Sequence, residues 1–85
     1  MPAKSLIVEK PVRKRLRKLP SITHIKVIEA LAVLQANPLA GAKLHGELEG
    51  YYKYRVGDYR IVYTFDSKES VVTVVKIEHR QGVYR

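Results

Sequence analysis

The spacing of hydrophobic positions along the 85-residue chain changes from helical to β as the chain is read forward. Ser5-Leu6-Ile7-Val8-Glu9 is a short β-prone run and reads as a first strand. Val12, Leu16 and Leu19 then fall at i, i+4 and i+7, which places them on one stripe of a helix. Pro11 suits the first turn of that helix, where its missing N–H costs nothing, and Pro20 ends it. Ser21 is the expected N-cap of a second helix. Ile22, Ile25, Ile28, Leu31 and Leu34 recur every third residue with Val27 beside them, and are the expected buried stripe of that helix. Asn37-Pro38 stops it, because the residue before a proline is driven out of the helical region. The pair reads as a helical hairpin with one apolar and one charged side.

Residues 39–50 carry Gly41, Gly46 and Gly50 and read as a loop with room for a short strand. From Tyr51 the period becomes two. Tyr51 to Val56, Tyr59 to Phe65 and Val71 to Ile77 are rich in Val, Ile and Tyr, the residues that fill pleated, half-buried surfaces. Gly57-Asp58 is a two-residue hairpin turn, and Asp66-Ser67-Lys68-Glu69 a longer one. One strand, two helices and then strands predict an α+β fold. The expected architecture is a single domain over residues 1–85, with the helical hairpin packed on one face of a mostly antiparallel sheet of about four strands.

The two-residue turn fixes a register. With Val56 opposite Tyr59, Arg55 pairs with Arg60, Tyr54 with Ile61, Lys53 with Val62 and Tyr52 with Tyr63. Alternation then places Tyr52, Tyr54, Ile61, Tyr63 and Phe65 on one face, the expected helix-packing side. Lys53, Arg55 and Arg60 share the other. Like charges directly opposed destabilise a strand pair. Two unit charges ~6 Å apart repel by about 0.7 kcal/mol in water, and by several times more where shielded. A bound phosphate reverses that sign, because a guanidinium fork matches an oxyanion.

Charge supports this direction. Sixteen Lys and Arg face eight Asp and Glu, a formal net charge of +8. Such a field attracts polyanions: nucleic acid, the ribosome or an acidic protein. The first helix carries Arg13 and Arg17 as further candidate RNA contacts. With no cysteine, disulfides and thiolate metal sites are excluded. Leu6-Ile7-Val8 is too short for a signal-peptide core or a membrane span, so the chain reads as cytoplasmic with no membrane partner. The carboxylates and the three histidines lack metal-site spacing, and His24 is expected on the helix surface. No phosphate-binding glycine loop or serine-nucleophile motif is present, and no cofactor is expected. Metal-free RNA cleavage remains. It needs a base, an acid and cations around the phosphoryl oxygens. Lys53, Arg55, Arg60, His79, Arg80 and Tyr84 have the right side-chain types, provided the chain end turns back over the cationic face.

Residues 43–65, KLHGELEGYYKYRVGDYRIVYTF, resemble the core signature of RelE-type toxins of the RelE/ParE superfamily. There a K-L-x-G loop leads into a basic strand, a turn and then Y-R-I/L-V-Y. The closing HRQGVYR resembles the H-R-x-x-V-Y ending of the same toxins. Element order and length match too, so the resemblance covers nearly the whole chain and implies the RelE-like fold. It further implies a ribosome-dependent endoribonuclease, an mRNA interferase that cuts mRNA in the ribosomal A site without a metal. Lys53 and Arg55 match the two basic positions before the turn, Arg60 the arginine expected on the scissile phosphate, and Arg80 and Tyr84 the C-terminal Arg and base-stacking Tyr. His79 matches a C-terminal His that serves in acid/base transfer in YoeB-like toxins, whose catalytic Glu has no clear counterpart here. Arg55 is a departure, since RelE enzymes often carry Lys there as the general base and Arg stays protonated. The implied partners are a RelB-like acidic antitoxin, the ribosome and its mRNA. Two other activities fit the same fold: a ParE-like toxin that poisons gyrase, and a non-catalytic homologue acting as co-repressor with its antitoxin.

Overall fold

The computed structural model describes residues 2–79. Strand β1 (Ser5–Val8) leads into helices α1 (Lys10–Arg17) and α2 (Ser21–Ala36). Strands β2 (Ala42–Lys43), β3 (Tyr51–Val56), β4 (Tyr59–Asp66) and β5 (Val71–His79) follow, with a 3₁₀ turn at Gly46–Leu48. They form one five-stranded sheet in the order β1-β5-β4-β3-β2. β1 runs parallel to β5 and every other pairing is antiparallel. The fifth strand, beyond the roughly four expected, is the two-residue edge Ala42–Lys43, which falls in the 39–50 loop where the sequence left room for a short strand.

Both helices cover one face, as the alternation predicts. Ile61, Tyr63, Val72, Val74 and Ile77 from the sheet meet Val12 and Leu16 of α1 and Val27, Ala30, Leu31 and Leu34 of α2. Tyr52, Tyr54 and Phe65 pack around this cluster, with the Tyr52 and Tyr63 rings stacked 5.3 Å apart. The predicted stripe of α1 holds. That of α2 holds only in part: Val27, Leu31 and Leu34 are buried, but Ile22, Ile25 and Ile28 are 70%, 57% and 45% exposed. The buried set is instead Val27, Ala30, Leu31 and Leu34, at i, i+3, i+4 and i+7. The helix turns 100° per residue, so a three-residue repeat slips backward by roughly 60° per step and winds off any single face.

Pro20, not Ser21, occupies the N-cap of α2. His24 is half-buried rather than on the helix surface, and its Nδ1–H donates to the Leu16 carbonyl at 2.9 Å, joining α2 to the open end of α1. Among the described residues no helix is long and apolar enough to cross a membrane.

Candidate functional site: a cationic sheet face

The β3–β4 register is the one the hairpin turn dictates, from Val56 opposite Tyr59 through Arg55 opposite Arg60 to Tyr52 opposite Tyr63. Gly57 adopts φ +58 and Asp58 stays out of the positive-φ region, the pattern of a type II′ turn with glycine first. Lys53, Arg55 and Arg60 therefore lie together on the face that no helix covers. Lys53 and Arg55 are exposed and Arg60 is half-buried. With Asp58, they border a cleft of about 300 Å³ closed on its edge by the Ala40–Ala42 segment.

Strand β5 completes this face with two residues that the sequence reading missed. Its buried residues are Val72, Val74 and Ile77, spaced by two and then three. The extra residue is Val75, where the β4–β5 register shifts between Val62 and Tyr63. This is a β-bulge, two residues facing one. Past it, Lys76 lies opposite Val62 and Glu78 opposite Arg60, both on the cationic face. One row across the three strands reads Arg55–Arg60–Glu78, and the next Lys53–Val62–Lys76. The Arg60 Nε donates to Glu78 Oε2 at 2.7 Å, and Lys76 Nζ lies 3.1 Å from Glu78 Oε1. Arg55 bends back toward its own turn, its Nε 3.3 Å from the Gly57 carbonyl. The like-charged opposition of Arg55 and Arg60 is thus offset from the far side by one carboxylate. A strictly alternating reading of VVTVVKIEH from Val72 puts Lys76 and Glu78 on the wrong face; the V-x-V-x-x-I spacing was the available signal.

Burial works to raise the Glu78 carboxyl, but hydrogen bonds and charge from Lys76 and Arg60 outweigh it and hold the group below its ordinary value of 4.5. An acid with a lowered folded value contributes stability above the unfolded value and loses it as pH falls through the folded one. We expect chemical denaturation at pH 7 to show wild type more stable than Glu78→Gln, and the gap to narrow at a pH below the ordinary carboxyl value. A gap of equal size at both pH values would show that the lowered titration is absent.

The other predicted residues do not gather here. His79 ends β5 opposite Tyr59, on the helix-facing side of the sheet, its ring edge-on to Tyr59 at 4.7 Å. The expectation that it turns over the cationic face is corrected by this pairing: adjacent strand residues point to opposite faces, so Glu78 and His79 part company. Arg13 and Arg17 are exposed on α1, in the layer across the sheet from Lys53, Arg55 and Arg60. Arg80 and Tyr84 lie outside the described residues.

The same fold and similar sequences occur in known proteins. The toxin RelG of Mycobacterium tuberculosis is 36% identical over 75 residues, 86% of each chain. In the crystal structure of the toxin–antitoxin complex RelBE2 from Mycobacterium tuberculosis, a chain 30% identical superposes with a TM-score of 0.85, covering 94% of this chain and 100% of that one. A chain of the archaeal RelE–RelB complex from Pyrococcus horikoshii is 26% identical with a TM-score of 0.76, covering 94% of this chain and 97% of that one. The family described as the ParE toxin of type II toxin–antitoxin systems, parDE, matches residues 6–84. This chain therefore belongs to the ParE toxin family of type II toxin–antitoxin systems, within the RelE/ParE superfamily.

Proposed function

We propose that this toxin is a ribosome-dependent endoribonuclease that cuts mRNA in the ribosomal A site without a metal, and so stops translation. The observation that carries this reading is the fixed array of Lys53, Arg55 and Arg60 on one uncovered sheet face, with two arginines directly opposed. Glu78 offsets only part of this charge, so the face still favours a bound anion. In the reaction the 2′-hydroxyl gives up its proton to a base and its oxygen bonds to the adjacent phosphorus. The bond from phosphorus to the 5′-oxygen breaks, and that oxygen takes a proton. The products are a 2′,3′-cyclic phosphate and a 5′-hydroxyl. Arg55 and Arg60 stay protonated, so they stabilise charge on the phosphoryl oxygens. Proton transfer falls to Lys53 on the same face and to Tyr84 at the chain end.

The partner in this reading is a RelB-like acidic antitoxin. The M. tuberculosis and P. horikoshii neighbours are complexes of toxin and antitoxin. On this chain, α1 exposes Arg13, Lys14, Arg15 and Arg17, with Lys18 exposed at its C-cap, while α2 exposes Ile22, Ile25 and Ile28. A cationic helix joined to one with an apolar outer face suits an acidic amphipathic segment.

A short pulse of expression followed by primer extension on abundant mRNAs tests the activity. New ends within reading frames are expected, and only when ribosomes engage the message. Because the family match carries the ParE description, gyrase poisoning is the second reading. Intact mRNA together with a DNA-damage response would replace the first reading with it.

A further inference from the structure

A carboxylate within a phosphate-binding face works against affinity, since it repels the ligand that the cations attract. Glu78 occupies that place. It ends the Arg55–Arg60–Glu78 row, and its side chain is 20% exposed, against 62% for Lys76. It is therefore partly shielded, where its charge matters more than at an open surface. What it does there follows from which nitrogen it holds.

A guanidinium presents five N–H bonds in one rigid plane. Glu78 accepts from Nε of Arg60 at 2.7 Å. No described residue accepts from the two Nη groups, and the cleft over the sheet is bordered by Arg60 itself. Lys76 holds the other carboxylate oxygen at 3.1 Å, which restrains the carboxylate from turning. Free Arg side chains carry rotamer entropy that is lost when they are fixed on a ligand. Fixing one edge of the guanidinium in advance removes part of that cost and sets the plane in which the other edge meets a phosphate.

We propose that Glu78 is the positioning residue for Arg60, holding Nε so that the two Nη groups are presented to the scissile phosphate, at a cost in RNA affinity. This inference rests on the nuclease reading and adds a residue and a direction of effect to it. Lys76 acts one step further out, through Glu78. A purely structural ion pair moves binding and turnover together as the fold loosens. The positioning role moves them in opposite directions, because the charge of Glu78 opposes binding while its hydrogen bond favours turnover.

The test uses the full chain on ribosomes loaded with mRNA, and measures affinity on the same complexes carrying a 2′-deoxy nucleotide at the cut site. Glu78→Ala is expected to bind about threefold more tightly at low salt, since one anion has left the face. Its cleavage rate at saturation should fall by roughly 10- to 100-fold, because Arg60 is no longer aimed. Glu78→Gln keeps an oxygen for Nε and loses the charge, so it should bind as tightly as the alanine variant and cut within about threefold of wild type. If Glu78→Ala folds poorly, Glu78→Gln still decides the matter. A glutamine variant as slow as the alanine one overturns positioning and makes the carboxylate itself the proton acceptor. An alanine variant that cuts at the wild-type rate overturns it as well. Wild-type protein that leaves ribosome-loaded mRNA whole sinks the nuclease reading and this inference with it, a result distinct from active wild type with an unaffected variant.

Discussion

Gly41→Ala is expected to destabilise the protein by about 3 kcal/mol or more, enough to lower the melting temperature by roughly 12–24 °C in a domain of this size. A Cβ at Gly41 would stand 2.5 Å from the Tyr63 hydroxyl, 2.6 Å from the Lys53 carbonyl oxygen and 2.9 Å from Tyr63 Cε1. None of these atoms can retreat cheaply. Tyr63 is fully buried, and its hydroxyl accepts from the Gly41 amide at 2.9 Å and donates to the Pro38 carbonyl at 2.8 Å. Burial pushes the Tyr63 phenol up, so it stays protonated and able to donate. Displacing it leaves buried groups unsatisfied, at about 1–3 kcal/mol each. The Lys53 carbonyl belongs to β3, the strand that carries Lys53 and Arg55 onto the cationic face. Total stability for 85 residues is roughly 4–13 kcal/mol, so the loss is a large share of it. Thermal melting and urea unfolding of the variant measure this. Combining it with Tyr63→Phe removes one of the three close contacts: the phenol oxygen goes, the Lys53 oxygen and the ring Cε1 stay, and stability should not return. A Gly41→Ala protein within about 1 kcal/mol of wild type would mean that the approach is looser than the geometry says.

Gly41 also shows where a sequence reading stops. The chain has five glycines, and position 41 looks like any loop glycine. Its φ is not in the left-handed region, so the requirement there is space. Space is set by Tyr63, 22 residues away, which no local pattern reveals. The β3–β4 hairpin is the opposite case. Two turn residues, Gly57 and Asp58, join strands whose alternation is unbroken, so the register and the shared face of Lys53, Arg55 and Arg60 were legible in advance. The turn from Asp66 to Ser70 gives no such constraint. Asp66 Oδ1 accepts from the amides of Lys68 and Glu69, and Ser70 takes φ +59, a geometry that a run of turn-forming residues permits but does not dictate. With that register open and a bulge at Val75 beyond it, Lys76 and Glu78 could not be assigned a face.

The helices divide similarly. α1 has one apolar stripe in a basic sequence, and Val12 and Leu16 had nowhere else to go. α2 is apolar on opposite sides, so the pattern alone cannot say which side meets the sheet. In the structure Val27, Ala30, Leu31 and Leu34 are the buried side, whereas the isoleucines at 22, 25 and 28 face outward. The candidate site was therefore half legible: the cations of one hairpin were placed by turn chemistry, while their carboxylate counterpart depended on an irregular strand, and His79 was separated from them by the same alternation that brought Glu78 in.

Arg60→Ala should reduce cleavage of ribosome-loaded mRNA by about 100- to 1000-fold, the range seen when one preorganised donor to a developing oxyanion is removed. Arg60 is singled out among the cations by position. It lies on β4, between β3 and β5, with its backbone paired on both sides, and its side chain is 28% exposed. Arg55 is exposed and hydrogen-bonded to its own turn, and Lys76 is mostly in solvent. The substitution should leave folding nearly intact. It breaks the pair with Glu78 but also relieves the opposition to Arg55, and the net change should stay within about 1 kcal/mol for a partly exposed pair. Arg60→Lys keeps the charge and loses the fork. One ammonium cannot hold Glu78 and grip two phosphoryl oxygens in a fixed plane, so an intermediate loss of about 10- to 100-fold is expected. Lys76→Ala, acting through Glu78 from an exposed position, should lose less than about tenfold. The order alanine at 60, lysine at 60, alanine at 76 is what aimed hydrogen bonds produce. Equal losses at Arg60→Ala and Lys76→Ala would instead mean that the face acts through summed charge alone. An Arg60→Ala toxin that still cuts within about threefold of wild type would remove Arg60 from the reaction altogether.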